Sequence, residues 1–448
     1  MTQRDRQILN IALPAIVTNI TVPLLGLVDT AIVGHMGAAA YIGAIAVGSM
    51  IFNLVYWLFA FLRMGTSGMT AQARGRRDFS EVTRLLVRSA MLSLTIALLA
   101  ILLQVPVLKL MLWFIGPTED VLPLASTYFY IVVWGAPAVL GLHSLSGWFI
   151  GMQNTRLPML ISIMQNVVNI AASLTLVYGF GLKVEGVAIG TLVAQYAGFL
   201  MAVVLLWRYY GRLFVAADSN GHVRTIRKSF FWHATPSLSS VANELLPFLR
   251  VNRDIFLRTL FLVAVNLYFT SAGARQGATV LAVNTLLMQL YLLFSYIMDG
   301  FAFAGEALGG RYWGARNMVA YHDVVRRLFM WGGGMVVLFT AIYVVGGMPF
   351  LHLLTDEPSV VEASHSYVWW AYLIPVAGFA AFVWDGIFIG TTQTRGMLLS
   401  SAIAALVFFV GVTLLMPKIE NHGLWLSMIL YLVTRGLVQT VIADSPRA

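Results

Sequence analysis

The sequence predicts an all-α polytopic membrane protein, with twelve transmembrane helices in two pseudo-symmetric six-helix bundles. Three observations lead there: an apolar composition, apolar runs of membrane-spanning length, and a repeat at constant offset. Hydrophobic residues make up 59% of the 448 and charged residues 10%, too little polar surface for a water-soluble globule. A helix rises 1.5 Å per residue, so runs of about 20 apolar residues cross a roughly 30 Å hydrocarbon layer. Such runs occur at about 8–33, 41–62, 86–106, 123–150, 157–180, 184–208, 251–272, 280–305, 329–350, 363–390, 397–416 and 422–442.

The first run follows a basic end, MTQRDRQ, but it is long and lacks a small-residue cleavage pattern, so it is read as a retained span and not a signal peptide. With a cytoplasmic N-terminus, 24 of the 28 Lys and Arg fall at cytoplasmic ends or loops, and only Lys109, Lys183, Arg275 and Lys418 fall outside. This asymmetry places both termini in the cytoplasm. The net charge of +9 therefore follows topology and does not mark a nucleic-acid surface.

The repeat is carried by FIG-x3-TR, present as Phe149-Ile150-Gly151 with Thr155-Arg156 and as Phe388-Ile389-Gly390 with Thr394-Arg395, an offset of 239. The same offset aligns Gly34 with Gly273, and ARGRRD (73–78) with YWGARN (312–317). Residues 1–208 are thus expected to form an N-lobe of six spans and 251–448 a C-lobe of six, parallel repeats of the kind that carry a substrate cavity. Between them, 209–250 contains a turn signal at Asp218-Ser219-Asn220-Gly221, then Arg224, Arg227 and Lys228 before Phe230, Phe231 and Trp232. It reads as a cytoplasmic interfacial linker lying at the headgroups.

Within the spans, charge is scarce. Of 19 acids, only Asp29, Asp299, Glu306 and Asp385 lie inside or deep at the edge of a span. Each costs about 2.5–3.5 kcal/mol at a helix centre, which makes it a functional candidate. Asp29 lies in the outer half of the first span with no Lys or Arg in that span. Desolvation there penalises the charged form, which suits a group that loads and releases a proton; a structural acid bonded to a neighbouring helix is the alternative. Asp299 and Glu306 are two turns apart on one face and approach Arg311 and Arg316, which fits a salt-bridged gate as well as a transport role. Asp385 in the tenth span is a cation-site candidate with no acid deep inside the seventh span to share the load.

Other spans carry polar residues at helical spacing. Asn166, Asn169 and Ser173 share a face of the fifth span, and Thr191 in the sixth accompanies Gly186 and Gly190. Spacing alone makes these interhelical contacts. Pro14 and Pro23 each remove a backbone hydrogen bond from the first span, which fits a fixed kink or a bending point. Met288, Phe294 and Met298 suit flat hydrophobic cations, although such residues at helical spacing in a membrane more often pack against lipid or neighbouring helices. There is no cysteine, no HExxH, no GxSxG, and the eight histidines are scattered, so a metal site, a cofactor or nucleophilic catalysis has no support.

ALPAIVTNITVPLLGLVDTAIVGHMG in the first span, FLRMGTSGMTAQA after the second, NRDIFLR opening the seventh and DGFAFAGEALGGRYWGARN through the eighth resemble the DinF-like branch of the multidrug and toxic compound extrusion (MATE) family. The resemblance runs through the whole chain. It implies two lobes alternating between inward-open and outward-open states, and export of small organic, often cationic, compounds in exchange for protons or sodium. It also implies a multi-pass monomer of the inner membrane, surrounded by lipid and without a nucleic-acid partner. Residue by residue, it assigns cation coupling to Asp29, an N-lobe polar cluster to Tyr128, Asn169 and Thr191, and a hinge to Pro14. Ser173 stands where some relatives carry a second aspartate, which favours a proton over sodium, since sodium prefers several oxygens. A sodium-coupled antiporter and a lipid-linked saccharide flippase are the alternatives.

Overall fold

The structure, a computed structural model, describes residues 2–34, 39–217, 223–225, 238–355 and 357–443. These residues form helices α1 (Gln3–Gly34), α2 (Ala39–Leu58), α3 (Phe61–Gly75), α4 (Phe79–Leu102), α5 (Gln104–Ile115), α6 (Val121–Val132), α7 (Ala136–Gly151), α8 (Arg156–Leu174) and α9 (Val184–Tyr210). They continue with α10 (Leu238–Arg275), α11 (Ala278–Ala304), α12 (Gly310–Gly314), α13 (Met318–Leu354), α14 (Pro358–Gly390) and α15 (Thr394–Ala443). Among the described residues, ten helical stretches are long and apolar enough to cross a membrane. The last of them, α15, is broken at Ile419 and Glu420 and holds the eleventh and twelfth expected spans. α1 covers the first expected span. The fold is all-helical apart from a two-stranded antiparallel ribbon, β1 (Val215–Ala217) and β2 (Val223–Thr225). The expected turn at Asp218–Gly221 and the aromatic run Phe230, Phe231 and Trp232 lie outside the described residues.

The chain divides into two compact units, one of Val17–Asn252 and one of Met1–Ile16 with Arg253–Ala448. The first sixteen residues therefore belong with the C-terminal unit, and α1 begins in one unit and continues in the other.

The repeat is written into the backbone of each unit. α3 and α12 end in Schellman turns: Arg77 (φ 60°) and Arg316 (φ 55°) are left-handed, with Asp78 N donating to Ala73 O and Asn317 N to Tyr312 O, both at 3.0 Å. The next residue then caps the following helix, Asp78 accepting from Glu81 N at 2.9 Å and Asn317 from Ala320 N at 3.0 Å. The FIG motif marks a second such stop, where Asn154 N donates to Phe149 O and Gln393 N to Phe388 O at 2.9 Å. Its left-handed residues are Gln153 (φ 58°) and Thr392 (φ 56°). Each pair is 239 residues apart, so what repeats is a helix-termination signal. The glycines of the motif, and those one turn before them, serve close packing. A methyl group on Gly151 would overlap the carbonyl of Ser67 and one on its repeat mate Gly390 that of Glu306; one on Gly147 would overlap the carbonyl of Arg63, and one on Gly386 that of Ala302.

The same offset relates Gly181 (φ 70°) to Glu420 (φ 48°). Glycine tolerates this conformation and glutamate does not, at a cost of order 1–3 kcal/mol. Glu420→Gly is therefore expected to stabilise the protein by about 1 kcal/mol, read as a higher melting temperature in detergent; an unchanged or lower value would show that this turn is unstrained.

Candidate functional site

α1 brings Asp29 into the interior of the Val17–Asn252 unit, where it is 2% exposed. Two helices meet it there because their surfaces are small. A methyl group on Gly190 would strike Ser173, so α8 and α9 approach closely at that level. This approach puts Asn169, Ser173 and Thr191, all buried, on one inward face. Thr191 Oγ1 donates to Asp29 Oδ2 at 3.2 Å, and Asn169 Nδ2 donates to Thr191 Oγ1 at 3.2 Å. Tyr128, 3% exposed, lies beside both Asp29 and Thr191; its ring occupies the space left by the absent side chain of Gly48. One turn along the same face, Asn166 Nδ2 donates to the Thr21 carbonyl at 2.9 Å, bracing α1 next to Pro23.

The cluster is polar but incompletely paired. Asp29 Oδ1, Asn169 Oδ1, Ser173 Oγ and the Tyr56 hydroxyl are buried with no hydrogen-bond partner. Among the described residues no cation pairs with Asp29; the groups that bear on its carboxyl are Thr191 and Asn169. Buried oxygens left unpaired are costly, which makes the cluster suited to receiving a proton or a small cation. Tyr56, adjacent to Tyr128, is an addition that spacing gave no reason to single out.

The acids of the other unit are placed differently. Asp385, on α14, is 5% exposed. Its Oδ2 accepts from Arg258 on α10 and from Arg435 on α15, the latter at 2.6 Å, and its Oδ1 accepts from Gln439 at 2.6 Å. Both arginines are themselves buried. Asp385 is thus enclosed by two guanidinium groups and an amide, an arrangement that holds three helices together. In the sequence both arginines count toward the cytoplasmic charge bias, and their partner is 127 residues from one and 50 from the other. The spacing of Arg435 and Gln439, one turn apart on one face, was the available signal.

Glu306 is buried in a π-helical turn, Gly305–Gly309. A methyl group on Gly390 of α14 would crowd that turn's backbone. Asp299 is half-buried seven residues earlier. Phe294 and Met298 are fully buried, Phe294 packing edge-on to Phe339 and Phe382. Among the described residues no three His, Asp or Glu side chains are grouped to hold a metal ion.

Comparison with known proteins places this architecture. The MatE family model matches residues 14–175 and 255–414. The chain is 36% identical over 438 residues to DNA damage-inducible protein F of Escherichia coli (strain K12), covering 98% of this chain and 91% of that protein. Two solved structures, described as MATE in the bent and in the straight conformation, superpose with TM-scores of 0.84 at 19% and 18% identity, each over 98% of this chain and 95% of the other.

Proposed function

Because the chain belongs to the MatE family of transporters and is not an enzyme, we propose that it is a proton-coupled multidrug antiporter with Asp29 as the coupling group. It works as a single copy in the cytoplasmic membrane, with both termini inside, and exports small organic, often cationic, compounds. The observation that carries the reading is the buried carboxylate with no basic partner among the described residues, set in the Tyr128, Asn169, Ser173 and Thr191 cluster.

Ionised, Asp29 is a buried anion held by the Thr191 hydroxyl, and it attracts a substrate cation. Protonated, it is neutral and can donate from Oδ1 to a nearby acceptor, for which Asn169 Oδ1 is unpaired. Proton and substrate thus favour different charge states of one group, the differential affinity that exchange requires. Protonation from outside lets α1 bend near Pro14 and releases substrate; the proton then leaves to the cytoplasm.

Sodium coupling is a second reading, favoured by the unpaired oxygens of Asp29, Asn169 and Ser173, which could contribute to an oxygen shell. Proteoliposomes loaded with ethidium separate the two. An imposed inward proton gradient at zero sodium is expected to drive efflux; efflux driven only by an inward sodium gradient would overturn the proton assignment.

A further inference from the structure

Outside the Asp29 cluster, the densest set of charged contacts joins the start of α1 to α12 and α13, all in one unit. Arg4 Nε pairs with Asp323 Oδ2 at 2.6 Å and its Nη1 donates to the Ala320 carbonyl at 3.2 Å. Its guanidinium lies over the Tyr312 ring at 5.1 Å, while the Tyr312 hydroxyl donates to Gln7 Oε1 at 3.2 Å. Arg327 bridges both acids, Nη1 to Asp5 Oδ1 at 2.9 Å and Nε to Asp323 Oδ1 at 3.0 Å. Trp331 Nε1 adds a contact to Asp5 Oδ1 at 3.4 Å. Signs alternate along Arg4, Asp323, Arg327 and Asp5, so the lattice is neutral and every member has an opposite charge beside it. Below it, Ile8, Ile11, Ala12 and Ala15 are buried, and the backbone at Ala12 approaches Gly300 so closely that a side chain there would not fit.

This is more than a helix start needs. A carboxylate in the first turn complements the positive end of the helix, and Asp5 already serves there by accepting from Thr2 N and Thr2 Oγ1 at 2.7 and 2.8 Å. Those Thr2 bonds, with Arg327 and Trp331 behind them, hold the Asp5 carboxyl well below the usual carboxylate range. The Asp5 carboxyl is therefore held in its charged form beside Arg327. α1 then leaves this unit after Ile16 and carries Asp29 in the other unit, thirteen residues or about 20 Å further along the helix.

We infer that Arg4, Asp5, Asp323 and Arg327 are positioning residues for transport, fastening the first sixteen residues to the C-terminal unit so that movement between states is taken up in α1 beside Ile16. A helix pinned at one end in one unit and bearing the coupling acid in the other transmits a change at Asp29 as a bend; with the pin removed, the free end follows and the states are no longer linked. The inference rests on the chain being a transporter and is independent of which ion Asp29 takes.

The chain has no cysteine, so spin labels report without background. Labels at Gln3→Cys and Met318→Cys read the fastening. Labels at Ser80→Cys and Met318→Cys, near-equivalent positions of the two repeats, read the distribution between states in liposomes. Arg327→Gln is expected to broaden the first distance and to shift the ratio of the two states by roughly fivefold. Asp5→Asn should act in the same direction, and the double variant no more strongly than Arg327→Gln alone, because the two share one contact. Arg327→Lys, able to keep one of two bonds, should fall between. A structural role alone would lower the melting temperature of these variants and leave the ratio where it was. That result, an unchanged Gln3 to Met318 distance, or additive single effects would overturn the inference.

Discussion

Proteoliposomes carrying Asp29→Asn are expected to show no gradient-driven ethidium efflux above that of protein-free vesicles, while the variant folds as well as the unaltered chain or better. Both halves follow from one geometry. The Asn amide oxygen accepts from Thr191 as the carboxylate Oδ2 does at 3.2 Å, so the hydrogen bond survives. What disappears is the ability to change charge, and with it the term by which proton and substrate compete. Asp29 has no cation partner among the described residues, so nothing is left unpaired by neutralising it, and a desolvation cost is removed. Melting in detergent checks the second half and vesicle flux the first. Wild-type gradient-driven efflux in Asp29→Asn would remove Asp29 from the coupling role.

Asp385→Ala is expected to behave in the opposite way, losing about 3–5 kcal/mol of stability. The carboxylate is the shared counter-ion of Arg258 and Arg435, both buried, and removing it leaves two guanidinium groups facing each other in an apolar interior. The loss should appear as a low yield of folded protein and a sharply lower melting temperature. Gln439→Leu, which removes one of the bonds to Oδ1, should cost only about 1–3 kcal/mol. Two buried aspartates, one in each unit, thus respond oppositely to neutralisation because one is paired twice with cations and the other is not. If Asp385→Ala melts normally but abolishes coupled efflux, the roles of the two acids are exchanged.

Much of this organisation was legible in the residues. Runs of about 20 apolar residues specify spans because a bilayer offers no water to an unpaired backbone. The twelve expected runs all fall on helices, including the pair that shares α15 across the break at Glu420. FIG-x3-TR gave the 239-residue offset, although its physical meaning, a Schellman stop with Gln153 and Thr392 left-handed, was hidden, since neither residue is the glycine that usually announces such a turn. Asp29 stood out by its isolation. Asn169 and Ser173 show only helical spacing and Thr191 only a small-residue neighbourhood, the resemblance alone grouping Asn169 and Thr191 with Tyr128; their meeting around one carboxylate depends on the small-residue approach at Gly190.

The chain's own pattern determined class, span positions, the internal duplication and the candidacy of Asp29, since these depend on composition and on the 1.5 Å rise of a helix, which are local. Tertiary structure decided which charges are paired: Asp385 with arginines on two other helices, Asp5 with Arg327 over 322 residues of separation, and Asp29 with none among the described residues. It also decided that α1 starts in one unit and continues in the other. Pairing is a property of which helix faces meet, and a periodicity that specifies each face leaves its neighbour open.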